Sequence, residues 1–150
     1  MAYFTTSVAV GASWVQKLIT DLDAGSGPAT FKFYTGTQPA GLGALSGNTL
    51  LATTTCTDPC GSVTGRTATI NAPSADTSAD DGGTPTFARG ADSNGNAVCD
   101  IPVMLASAYD ALSDDAKKLA GIVIKLNITT FVAGGPVTWT ENIVIVDPNG

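Results

Sequence analysis

The chain has 150 residues, 43% hydrophobic and 13% charged, with a net charge of −6 and only seven Lys and Arg. That length suits one domain, residues 1–150, with a core of its own, and that composition excludes long disordered tails. So few cations, scattered from Lys17 to Lys125, exclude a nucleic-acid surface, and apolar runs as short as 143–146 exclude a membrane span.

Residues 1–11 carry no charge, and Tyr3, Phe4, Val8 and Val10 are their large apolar side chains. An uncharged, partly apolar terminus makes a poor free chain, so the segment reads as a contact arm or edge strand. No basic stretch precedes an apolar block, as a signal peptide would require, so synthesis and assembly in the cytoplasm are expected. A helix is predicted over 13–24. Ser13 is its expected N-cap, and Val15, Leu18, Ile19 and Leu22 form one apolar stripe. Leu18 and Ile19 are expected to lie buried against a sheet, and Gly25, Gly27 and Pro28 stop the helix.

From residue 30 to 146 the pattern is that of strands. Phe31, Phe33 and Thr35 alternate with Lys32 and Tyr34 before Gly36 and Pro39 end the run. A Gly-rich loop over 36–48 leads to a strand over 49–56. Residues 63–71 read as one strand with Gly65 as a bulge. A loop rich in Ser, Asp and Pro follows over 71–83. Two strands, 85–91 and 97–103, flank Asp92-Ser93-Asn94-Gly95-Asn96, where Asn-Gly signals a hairpin. Segments 122–128 and 137–146 close the chain, with Gly134-Gly135-Pro136 turning between them. The count of strands fits a mainly β fold, a β-sandwich or jelly roll over 30–146. Between them, 107–121 has helical spacing at Tyr109, Leu112, Ala116 and Leu119, with acids at the start and Lys117 and Lys118 at the end.

Little in the chain suggests chemistry. There is no His, which removes the commonest general base and most nucleophile and zinc systems. Cys56, Cys60 and Cys99 are an odd number and read as small apolar side chains; an oxidised 56–60 loop is the alternative. Asp76, Asp80, Asp81, Asp92 and Asp100 sit among turn residues, where carboxylates bind backbone. The 76–82 run lacks the third-position acid and the bidentate Glu of a calcium loop, and no phosphate cradle exists. No catalytic residue, metal ligand or cofactor is expected. Arg89, in a small-residue strand, reads as a paired or interfacial guanidinium or as a solvent-facing edge residue. Trp14 and Trp139 read as core or interface anchors.

In order, Tyr34-Thr35-Gly36-Thr37-Gln38-Pro39, Leu50-Leu51-Ala52-Thr53, Asp58-Pro59 and then Arg89 with Asp92-Ser93, Gly95 and Val98 resemble a pattern of small β-rich virion proteins of tailed bacteriophages and prophages. The resemblance implies a structural protein of the virion, best placed as a head decoration or cement protein on the outer shell. Its partners would then be the major capsid protein and further copies of itself. A tail or neck component, or a host- or carbohydrate-binding β module, is the alternative. Against that family the 107–121 helical segment looks like an insertion. Tyr3, Phe4, Val8, Arg89 and Tyr109 are the expected contact residues.

Overall fold

The computed structural model describes residues 7–139 and 141–147, the side chains at 8, 118 and 119 excepted. Strand exceeds helix, 33% against 20%, so the fold is mainly β with an N-terminal helix. A five-stranded sheet runs in the order β2 (Leu50–Thr55), β1 (Thr30–Tyr34), β5 (Phe87–Ala91), β6 (Ala97–Leu105), β7 (Ile124–Leu126). A three-stranded sheet runs β3 (Gly61–Thr64), β4 (Thr67–Ile70), β8 (Ile143–Val146). One apolar cluster joins them: Phe31 and Phe33 from the first sheet, Ile70, Ile143 and Ile145 from the second. The arrangement is β-sandwich-like.

Helix α1 (Val8–Leu22) closes one side of that cluster with Val15, Ile19 and Leu22, all buried, and packs on β3, β4 and β6. It starts earlier than the sequence suggests. Ser7, not Ser13, is the N-cap, its Oγ accepting from the Val10 N–H at 3.3 Å, while Ser13 Oγ donates back to Ala9 O at 2.8 Å. Residues 8–11 therefore belong to the helix and not to an arm. Gly11 lies inside this helix. Its missing side chain is what lets the Arg66–Asp147 ion pair press against the helix, since a Cβ there would overlap both side chains. Of the remaining arm, Tyr3 and Phe4 lie outside the described residues.

Two other expectations need correction. Residues 63–71 are not one bulged strand but a hairpin: Thr64 pairs with Thr67, and Gly65, at φ +57°, takes the first of the two connecting positions. Glycine-first two-residue connections match strand twist, which the alternation on either side conceals. Residues 137–146 are not one strand either. Only β8 is regular; Val137 makes an isolated bridge with Asp76, and Trp139 is buried against Phe31 and Phe33.

The 107–121 segment forms α2 (Ala106–Asp110) and α3 (Asp114–Ala120), the latter capped by Ser113 Oγ. Their place in the topology has a physical reason. β6 and β7 pair in parallel, and parallel neighbours need a crossover of a dozen or more residues, commonly helical. The two helices are that crossover, so their removal would unmake a strand pair.

Candidate interaction surface

The residues that carry the virion-protein pattern are spent on the scaffold. Tyr34 ends β1 and stacks on Phe87 at 5.6 Å. Gly36 turns the chain at φ +82°, and Asn48 Nδ2 donates to Thr35 O and Thr37 O at 2.8 and 3.0 Å. Leu50 to Thr53 pair with β1, and Asp58-Pro59 is a cis peptide. In the β5–β6 turn, Asp92 accepts from Asn94 N, Asn96 N and Asn96 Nδ2, each at 2.9 Å, and Gly95 supplies φ +86°. Those bonds, the Asn96 ones first, hold the Asp92 carboxyl below its ordinary pKa. Arg89 makes a two-pronged bond to Asp100, at 2.8 and 2.7 Å, and a third to Gly43 O at 3.0 Å. Its guanidinium is thus paired inside the fold and pins the 36–48 loop over the sheet. It is not a contact residue left free for a partner.

Other acids are likewise engaged: Asp76 accepts from Thr53 N at 2.8 Å and Ser78 N at 2.9 Å. Among the described residues no group of three or more His, Cys, Asp or Glu is placed to hold a metal ion. The three thiols are free, with Cys56 and Cys60 buried and Cys99 half-buried. Burial pushes Cys56 and Cys99 up to about 12, and Cys60 rises by burial and by Asp23 beside it. A thiol raised in the folded state supports stability below pH 9 and loses that support as pH rises toward 12. Between pH 9 and 11, each such thiol should lower unfolding free energy by about 1.4 kcal/mol per pH unit. Denaturant titrations of the wild type and of Cys56→Ala across that range check this; equal slopes for the two would contradict it.

An open surface lies elsewhere, along α1 and the sheet edges. Turning Val15, Ile19 and Leu22 inward leaves Val10 and Trp14, one helical turn apart, facing out, and Trp14 is 51% exposed. β8 alternates in the same way: Ile143 and Ile145 face the core, while Val144 and Val146 are 55% and 52% exposed. β8 is also an edge strand, and β7 is the edge of the other sheet. Between them runs a groove of two adjoining depressions that share Trp14 and Ile122. One, of about 390 Å³, lies between α1 and β6 over Leu18, Val98, Ile101 and Ile145. The other, of about 930 Å³, extends past Val144 and Val146 to Tyr109 and Lys125. Leu18 is therefore only half-buried and lines the groove, whereas Ile19 is in the core as expected.

Tyr109 does stand at this surface. Lys125 Nζ sits 5.4 Å and Lys117 Nζ 5.7 Å from its ring centroid, and Lys125 pairs with Glu141 at 2.5 Å. That bond raises the Lys125 pKa. Of the other expected contact residues, Val8 lies in the first turn of α1, and Arg89, on β5 of the five-stranded sheet, does not line the groove. Sequence reading missed Val144 and Val146, although the outward phase of the β8 alternation carries them. No family model, curated protein or solved structure matches the chain.

Proposed function

We propose that this chain is a structural protein of a tailed-phage virion, a head decoration protein that binds the outer shell and its own copies and catalyses nothing. The observation that supports the reading best is the apolar groove beside Trp14, bounded by two sheet edges, on a scaffold that commits Asp76 and Asp92 to backbone and Asp100 to Arg89. Surfaces of this kind mark interaction sites. The order of the Tyr34–Pro39, Leu50–Thr53, Asp58-Pro59 and Arg89–Val98 motifs supplies the setting. Among the described residues no helix is long and apolar enough to cross a membrane.

The mechanism is linkage. A protein that binds the assembled shell and not its free subunits stabilises the assembly by mass action, and many copies acting together make the lattice hard to open. Shells assembled without the protein should be complete yet break at lower temperature or on osmotic shock. Added protein should restore their resistance, and binding should survive moderate salt because the groove is mostly apolar. Failure of shells to form without it, or its presence only at the tail or one vertex, would reject the decoration role.

A further inference from the structure

We infer that β8 pairs antiparallel with β8 of a second copy across a two-fold axis at Ile145, so that two three-stranded sheets become one of six strands. This deepens the self-association part of the proposed function, rests on that part alone, and is independent of the shell assignment.

Hydrogen-bond parity identifies the open backbone groups of β8. Asp147 N donates to Arg66 O at 3.0 Å, in register with the ladder from Thr67–Val146 to Ile70–Ile143. Bonded and non-bonded pairs alternate along an antiparallel ladder. Asp147, Ile145 and Ile143 therefore bond toward β4, while the N–H and C=O of Val144 and Val146 point to the free edge. Among the described residues these groups have no hydrogen-bond partner. The other sheet edges are blunted. Along the outer edge of β2, Ser74 N donates to Thr55 O at 2.7 Å, Asp80 N to Leu51 O at 2.8 Å, and Thr53 N to Asp76 at 2.8 Å. β7 carries Lys125 at its centre, and β3 turns Ser62 and Thr64 outward. β8 has no such device: Ile143-Val144-Ile145-Val146 is apolar on both faces.

Self-complementarity selects the partner strand. A register that opposes Val144 to Ile145 sets open groups against groups already bonded to β4, and no bonds form. With the axis at Val144, Val146 falls opposite Asn142, ahead of the partner strand, and Glu141 falls opposite Asp147, a like charge. With the axis at Val146, Val144 passes beyond the partner strand's end. With the axis at Ile145, Val144 of each copy meets Val146 of the other, and all the open groups of both valines bond across the pair. The exposed valines then pack together on the outer face, Ile145 meets its own copy, and no charge opposes a charge. Trp14 lines the same depression as Val144 and Val146, so the apolar surface continues from the strand onto α1.

Amide exchange read by NMR tests this in the full chain, because parity gives a pattern residue by residue. In dilute protein the N–H groups of Ile143 and Ile145 should be protected and those of Val144 and Val146 open. As concentration rises, Val144 and Val146 should gain protection in step with dimerisation followed by sedimentation. So short a strand pair belongs with weak interfaces, and its dissociation constant should fall between about 1 μM and 1 mM. Val144→Pro removes donors to the second copy and none to β4, and should raise that constant at least about tenfold. Val144→Lys sets a charge on the pairing edge and should do the same, which keeps the test valid should the proline variant fail to fold. Dimers whose Val144 and Val146 amides stay open, or that persist unchanged in whichever variant folds, would overturn the inference in favour of another face. A wild type still monomeric at about 1 mM would also overturn it. Shell binding without self-association would reject this inference alone, and self-association without shell binding would reject the decoration role alone.

Discussion

Replacing Arg89 by Met should destabilise the fold by about 3–5 kcal/mol, the range for breaking a buried ion pair from one side. The Asp100 side chain is 3% exposed and that of Arg89 13%, so the remaining carboxylate would have neither partner nor water. The variant also loses the bond to Gly43 O, which ties the 36–48 loop to the outer face of the five-stranded sheet beside the Tyr34–Phe87 stack. Urea unfolding gives the loss, and hydrogen exchange should show the loop opening before the strands. The double variant Arg89→Met/Asp100→Leu should recover most of the stability, because no charge is then left buried alone. A loss below about 1 kcal/mol for Arg89→Met would mean that Asp100 reaches solvent and that the pair is incidental.

Phe33→Ala should cost about 3–5 kcal/mol. Phe33 is fully buried and meets Phe131 and Trp139 edge-on at centroid distances of 5.4 and 5.6 Å. Those contacts connect β1 to two stretches, around 131 and 139, that have little regular structure of their own. Each aromatic pair adds roughly 0.5–1.5 kcal/mol beyond burial, so the cavity would loosen the segment leading to β8 as well as the sheet. Denaturant unfolding reads the loss. The buried Trp139 should shift its emission to longer wavelength, while Trp14, already half in water, should hardly change. A loss under about 1 kcal/mol would show that the cluster repacks around the gap.

The sheets were legible in the sequence where strand alternation coincided with a turn signal of known geometry. Phe31 and Phe33 alternate toward the core, and Asp92 to Asn96 do close the β5–β6 hairpin, although the turn centres on Ser93 and Asn94, with Gly95 N–H donating to Asp92 O and positive φ at Gly95 and not at Asn94. Gly65 was misread as a bulge, and the part Gly11 plays inside the helix was not legible, for one physical reason. A glycine marks missing side-chain volume or freedom of φ, and the sequence does not say which. At Gly11 the fold uses the absent Cβ for close packing inside a helix; at Gly65 it uses φ in a hairpin. The helical pattern over 107–121 was visible, but the parallel pairing of β6 with β7 was not, because crossover topology is a long-range property.

The surface was less legible still. Tyr109 reaches the groove because the crossover helices pack beside β7. Arg89 is held away from any partner by Asp100, eleven residues along the chain and directly across the β5–β6 pair. Val144 and Val146 were readable as the outward phase of a strand, but only the topology shows that this strand is an edge.

A cryo-EM map of the virion tests the central claim most directly. The account predicts density for this chain at many symmetry-related positions on the outer head surface, with Trp14, Val144 and Val146 covered by a neighbouring chain. Density confined to the tail or to one vertex, or a groove facing solvent in every copy, would contradict it.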